Sequence, residues 1–84
     1  MADNERIEVL KRYVEGWEEM RDNAVARRDS ALILKSVGVE ARDNDGVDVL
    51  QKRADEADNE AAICHKNVLR MQALLGRAQA GEDV

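Results

Sequence analysis

The chain has 84 residues, of which 37% are charged and only 2% aromatic, and it contains no proline. A chain of this length forms one small domain at most. Its net charge of −5 provides no basic excess with which to neutralise phosphates, which argues against simple nucleic-acid binding. The single cysteine cannot form an intrachain disulfide. Charge-rich, proline-free composition is typical of long helices and coiled coils, and not of sheet proteins.

The N-terminal half predicts a helix over about residues 4–37. Asp3 or Asn4 can cap its first turn, and Gly38 can end it in the left-handed conformation of a Schellman motif. Its apolar residues fit two heptad frames. One frame begins with Ile7, Leu10, Val14 and Trp17 and places Arg21, Ala24, Arg28 and Ala31 inward. The other contains Tyr13, Trp17, Met20, Ala24, Ala31 and Leu34. We expect an apolar stripe that drifts between the two frames.

The segment of residues 38–46 is polar, holds two glycines and predicts a turn. A second helix is then expected over about residues 46–80, capped near Asp45 and followed by a short acidic tail at residues 81–84. This helix has the clearer periodicity, because its apolar residues alternate spacings of three and four. They are Val47, Leu50, Ala54, Ala57, Ala61, Cys64, Val68, Met71, Leu75 and Ala78.

The short turn makes the two helices antiparallel neighbours, so the predicted fold is an all-α hairpin within a single domain of residues 1–84. One shared seam leaves several apolar residues uncovered: Val9, Val25, Leu32, Ile33, Ile63, Leu69 and Leu74. A homodimer that forms a four-helix bundle or coiled coil would bury them. The longest apolar run, at residues 31–34, is far shorter than a membrane span, and we expect a cytoplasmic protein.

Two short segments resemble sites only superficially. Cys64 is adjacent to His65, but consecutive helical residues point about 100° apart and cannot hold one metal ion. The segment of residues 41–49 is similar to a calcium-binding loop, yet Ala41 and Lys52 stand where two carboxylate ligands are required. We therefore expect a core cysteine with a flanking histidine, a capped turn, and no metal or other cofactor.

Acidic residues cluster on both helices: Glu15, Glu18, Glu19 and Asp22 on the first, and Asp55, Glu56, Asp58 and Glu60 on the second. They are typical of a solvated helix face. The alternative is a negative surface that binds a basic partner, such as a nucleic-acid-binding protein that it keeps from its target.

We predict partner binding on the first helix, where aromatic and arginine side chains interrupt the apolar pattern. The candidate residues are Tyr13, Trp17, Met20, Arg21, Arg27 and Arg28. Interface hot spots are enriched in Trp, Tyr and Arg. The alternative for the two aromatic residues is the core of the hairpin, and arginines on a seam also extend outward or fix register.

No phosphate-binding loop and no nucleophile with a base occurs in the sequence. The predicted function is therefore a small acidic protein–protein interaction module, not an enzyme, that sterically blocks or holds a partner protein as inhibitor, adaptor or assembly chaperone. The alternatives are a structural subunit of a larger helical assembly and an acidic decoy of a nucleic-acid-binding protein. An origin in a phage or another mobile element is a further hypothesis.

Overall fold

Two long helices pack as an antiparallel hairpin in the computed structural model, which describes residues 2–81 and the side chains of residues 4–81. Helix α1 spans Ala2–Glu40 and helix α2 spans Asn44–Gln79. The hairpin extends 61 Å along its axis and 14 by 12 Å across it. The prediction of an all-α helical hairpin is confirmed. Neither of these helices contains an apolar stretch long enough to cross a membrane.

The turn between the helices is shorter than predicted, because α1 continues beyond Gly38 to Glu40. Gly38 lies against α2, where an added Cβ would come within 3.1 Å of a methyl carbon of Val47. It is therefore needed for close approach of the helices and not for a left-handed ending. A Schellman ending does occur, four residues later at Arg42, whose φ is 58°.

The hydrogen bonds of this ending run from the Asp43 amide to the Gly38 carbonyl at 2.9 Å and from the Arg42 amide to the Val39 carbonyl at 3.2 Å. Asp43 also caps α2, since its carboxylate accepts from the Gly46 amide at 3.0 Å. The predicted cap at Asp45 is instead a residue of the first turn of α2. At the outer ends, α1 already begins at Ala2, and residues 82–84 of the predicted tail lie outside the described residues.

The heptad pattern of α2 packs against α1 as predicted. Ala54, Ala57, Ala61, Cys64 and Val68 are buried. The two ends of this core seam are half-buried and carry larger side chains: Val47, Leu50, Met71 and Leu75, with Ala78 last.

Helix α1 follows the first of the two predicted frames and does not drift into the second. Its core seam consists of Ile7, Leu10, Val14, Trp17, Arg21, Ala24, Arg28, Ala31, Lys35 and Gly38, all of them buried or half-buried. By contrast, Tyr13, Met20 and Leu34 are exposed. The seam of α2 repeats strictly every seven residues, and knobs-into-holes packing requires the same period from its partner. This requirement keeps three long cationic side chains on the seam of α1.

The middle of the core consists of small side chains from both helices. Ala24 is completely buried, and the register set by Arg21–His65 and Arg28–Asp58 places it between Ala61 and Cys64 of α2. No buried side chain among residues 4–81 is larger than valine. The helices can therefore approach closely, but they remove little apolar surface from water.

We expect Ala61→Leu to destabilise the protein by about 1–3 kcal/mol, because the added methylenes have no space in a close helix contact. Cys64→Ala, which removes only one sulfur, should cost less. Urea unfolding at one fixed protein concentration measures both changes. The matched control is Ala62→Leu on the adjacent exposed position, which should change stability by less than about 0.5 kcal/mol. Equal midpoints for the Ala61 and Ala62 variants would contradict a close contact.

We also expect Arg42→Gly to stabilise the protein by about 0.5–1 kcal/mol, since glycine adopts a positive φ without the steric cost borne by other residues. Ala41→Gly, one residue earlier and without a positive φ, should be neutral or destabilising and serves as the control. Thermal unfolding of the two variants decides the matter. A loss of stability in Arg42→Gly would show that the arginine side chain contributes more than the backbone strain costs.

Candidate interaction surfaces

Three long cationic side chains on the core seam of α1 reach across to α2 at intervals of seven residues. Each extends past the small residues of the opposite seam and bonds to a polar side chain at its edge. The pairs are Arg21 with His65, Arg28 with Asp58, and Lys35 with Gln51. We call this set the polar ladder. Because α2 runs in the opposite direction, its partners occur in descending order, which confirms one continuous antiparallel register.

Arg28 makes the strongest contact of the ladder. One terminal nitrogen donates to Oδ1 of Asp58 at 2.8 Å, and the other lies 3.1 Å from Oδ1 of Asp29. The hydrogen bond that Arg28 donates to Asp58, followed by the one that it donates to Asp29, raises the pKa of Arg28 above its ordinary value. Because the pKa of Arg28 is raised in the folded protein, its hydrogen bonds stabilise the fold fully at any pH below the ordinary pKa of arginine. This stabilisation is lost only in strongly alkaline solution. Arg28 is therefore charged throughout the physiological range.

The histidine of the Cys64–His65 pair belongs to the ladder, whereas the cysteine belongs to the core. Arg21 donates to Nδ1 of His65 at 3.2 Å, a bond that requires the tautomer with its proton on Nε2. Cys64 is a free thiol with 2% of its surface exposed. The predicted divergence of these two side chains is confirmed. Within residues 2–81, no group of three or more His, Cys, Asp or Glu is arranged to hold a metal ion.

The ladder contributes more to register than to stability. The side chains of Arg28 and Asp58 are 33% and 61% exposed, so solvent screens this ion pair and it adds little to the stability of the fold. A shift of α2 by one residue would nevertheless separate all three pairs at once. Polar groups at seam positions are known to select one register in this way.

The six predicted partner-binding residues separate into two groups. One group lies half-buried on the core seam of α1, with both arginines bonded to α2: Trp17, Arg21 and Arg28. The other group is exposed on a neighbouring row of α1: Tyr13, Met20 and Arg27. The six residues therefore do not form a single surface, and only the second group is exposed, with Arg27 bonded to Glu60.

This neighbouring row runs along nearly the whole of α1, and every member is exposed. Its spacings alternate between four and three residues, so its members lie on one side of the helix. They are Val9, Tyr13, Gly16, Met20, Asn23, Arg27, Ser30, Leu34 and Val37. We call this row the outer stripe. Its five apolar side chains are each 47–58% exposed. The spacing of this stripe is visible in the sequence, but it is recognised only when the apolar residues of α1 are divided between two stripes, the core seam and the outer stripe.

An equivalent row on α2 lies beside the outer stripe across a groove. Its members are Val49, Arg53, Glu56, Glu60, Ile63, Asn67, Arg70, Leu74 and Arg77, and we call it the α2 outer row. The salt bridge between Arg27 and Glu60, at 2.8 Å, shows that the two rows share one side of the hairpin, the outer face. The groove measures about 490 Å³ and is lined by Leu34, Leu50 and Arg53 among others.

The opposite side of the hairpin is acidic and contains a separate apolar patch. Exposed carboxylates recur every seven residues along α1, at Glu8, Glu15, Asp22 and Asp29, and along α2 at Asp48 and Asp55. Near the turn, Leu32 and Val39 are exposed on this side, and the exposed Ile33 lies beside them toward the back of α1; we call these three residues the turn-end patch. A shallow cavity of about 450 Å³ lies beside the patch, lined by Lys35, Ser36 and Glu40 as well.

We expect Arg28→Asp to lower the unfolding midpoint clearly, because it places a second carboxylate next to Asp58 and removes the central pair of the ladder. Adding Asp58→Arg to this variant should restore most of the loss, since the pair is re-formed with its charges exchanged. Thermal unfolding of both single variants and of the double variant measures the coupling. A double variant no more stable than Arg28→Asp alone would contradict a direct interaction between the two helices at this position.

Comparisons of the chain with protein-family models, with curated proteins and with solved structures found no match. The role of each surface must therefore be inferred from its own shape, charge and exposure.

Proposed function

We propose that this protein is a protein-binding module that acts by occupying the surface of a partner protein. The observation that supports this proposal best is the turn-end patch, which exposes apolar side chains close to the carboxylates of Asp29, Asp48 and Asp55. Ile33 is 67% exposed and Val39 is 57% exposed, and neither has a neighbouring element to cover it. Exposed apolar residues that are grouped and surrounded by charge are typical of protein interaction sites.

The charges around the patch indicate the chemistry of the partner. Asp29 precedes the patch on α1, and Asp48 and Asp55 lie at the same level on α2. A complementary surface would place an apolar group in the shallow cavity beside Leu32 and surround it with lysine or arginine side chains. Such charge complementarity chiefly raises the association rate and excludes other partners. The proposed partner is therefore a protein that presents an apolar site bordered by basic residues.

The shape of the hairpin favours a steric mode of action. It is a rod 61 Å long, and its helix contact is maintained by a continuous seam and by the polar ladder. Binding at the turn end would leave most of this rod projecting from the partner, where it would obstruct other molecules. Inhibitor, adaptor and assembly chaperone are all forms of this action.

The acidic rows favour one narrower candidate, a decoy that masks the basic surface of a nucleic-acid-binding protein. Four carboxylates recur every seven residues on α1 and two more continue on α2. A decoy would bind mainly through these charges, whereas the proposed module would bind mainly through the apolar patch. The two candidates therefore differ in salt dependence.

The test is affinity capture from a cell lysate, followed by titration of the purified captured protein. We expect Ile33→Glu to weaken its binding at least tenfold, because the substitution places a charge in the apolar contact. Ala73→Glu introduces the same charge at an exposed position far from the turn and should bind like the unchanged protein. A captured protein that binds the two variants equally well would contradict the assignment of the patch.

Raising the salt concentration from about 0.05 to 0.5 M separates the two candidates. Binding that weakens by several orders of magnitude and ignores Ile33→Glu would indicate the acidic decoy. Binding that weakens modestly and depends on Ile33 supports the proposed module.

A further inference from the structure

The hairpin exposes more surface than a stable monomer of its mass. Its accessible surface is 6271 Å², whereas a globular monomer of 9.4 kDa exposes about 5,000 Å² by the scaling of surface with mass. The excess of roughly 1,200 Å² is more than the share that one partner contributes to a standard protein interface, about 800 Å². A second copy of the chain could cover an area of this size.

We propose that the outer face is a self-complementary interface, through which two copies of this chain form a four-helix bundle. Asn23 is the middle residue of the outer stripe, with four members on each side. An antiparallel second copy would pair Val9 with Val37, Tyr13 with Leu34, Gly16 with Ser30 and Met20 with Arg27. A two-fold axis makes each of these contacts twice, as isologous dimers require.

At the centre of this arrangement, Asn23 meets Asn23 of the second copy on the axis. An amide side chain both donates and accepts hydrogen bonds, so two copies of it can pair with each other. A single polar pair of this kind within an apolar interface fixes the register of the helices.

The middle residue of the α2 outer row lies at the same level as Asn23. Arg21 contacts His65 and Arg28 contacts Asp58, so Ile63 lies at the level of Asn23. Ile63, which is 60% exposed in the single hairpin, would therefore contact Ile63 of the second copy. Glu56 and Arg70 lie seven residues on either side of it and would face each other across the interface. Within the described hairpin neither of these two side chains forms an ion pair.

The groove of the outer face gives Tyr13 a place to insert. Leu34, Leu50 and Arg53 line the groove, and the proposed register brings Tyr13 of the second copy to the level of Leu34. The groove volume of about 490 Å³ is ample for a phenol ring, and Arg53 offers its guanidinium to the face of the ring.

Gly16 supplies an independent indication. It lies within α1, where glycine has a much lower helix propensity than alanine, and a Cβ at this position would meet nothing within 4 Å in the hairpin. The single hairpin thus provides no reason for glycine here. Opposite Ser30 of a second copy, two small residues would let the helices approach closely.

Cysteine cross-linking of the purified protein, in a Cys64→Ala background, tests the position of the axis. We expect Asn23→Cys to form a covalent dimer on mild oxidation, because each copy places this residue next to itself. Ser30→Cys is the matched control on the same stripe, since its two copies would lie about 21 Å apart at ~1.5 Å per residue. Gly16→Cys alone should also stay uncross-linked, whereas a mixture of the Gly16→Cys and Ser30→Cys proteins should cross-link.

Sedimentation equilibrium of the unmodified chain gives the second measurement. We expect a mass of two chains at micromolar concentration and an unfolding midpoint that rises with protein concentration. Glu56→Arg should weaken dimerisation at least tenfold, and adding Arg70→Glu in the same chain should restore it. A single-chain mass at about 100 µM would overturn the proposal. So would a dimer in which Ser30→Cys cross-links and Asn23→Cys does not. These measurements involve no other protein, so their failure leaves the role of the turn-end patch unaffected.

Discussion

Close approach of two helices along a seam of small side chains is the constraint on which this structure depends. The buried side chains in the middle of the hairpin are small, so the two backbones lie near each other there. They are Ala24, Ala57, Ala61 and Cys64. Gly38 continues the same close contact to the turn, where an added Cβ would touch Val47. Because the seam of α2 repeats every seven residues, α1 must keep that period even where its seam residues are arginine or lysine. The polar ladder is a consequence of this requirement.

A thin core determines what remains outside. Side chains that a larger domain would bury, such as Tyr13, Met20 and Leu34, lie exposed on the outer face. Seven-residue periodicity collects them into continuous rows, since residues that share a heptad position lie on the same side of a helix. The same periodicity places the carboxylates of α1 on the opposite side. The hairpin thus has an outer face that combines apolar, arginine and glutamate side chains, and an opposite side that carries the rows of carboxylates and the turn-end patch.

The end of α1 shows how packing overrides a local signal. Gly38 has the residue type of a helix terminator, and the sequence around it is polar, yet the helix continues because this glycine is used against α2. The Schellman hydrogen bonds form one turn later, at a residue that tolerates a positive φ less well. The steric cost of the positive φ at Arg42 is offset by the packing of the last turns of α1 against α2. The N-cap of α2 is correspondingly Asp43 and not the predicted Asp45.

Sequence alone was sufficient for the fold class, the two helices and the whole seam of α2, because a strict alternation of three and four residues has only one helical reading. It was also sufficient to place Cys64 in the core and to separate it from His65. Which frame of α1 faces α2 was decided only by the tertiary structure, since Trp17, Ala24 and Ala31 belong to both frames. Only the packed hairpin showed that Trp17, Arg21 and Arg28 are turned toward α2, whereas Tyr13, Met20 and Arg27 remain exposed. The physical reason is that regular packing along the seam outweighs the preference of a single side chain for water. An arginine can occupy a seam position because its aliphatic stem packs against the other helix while its charged end reaches solvent.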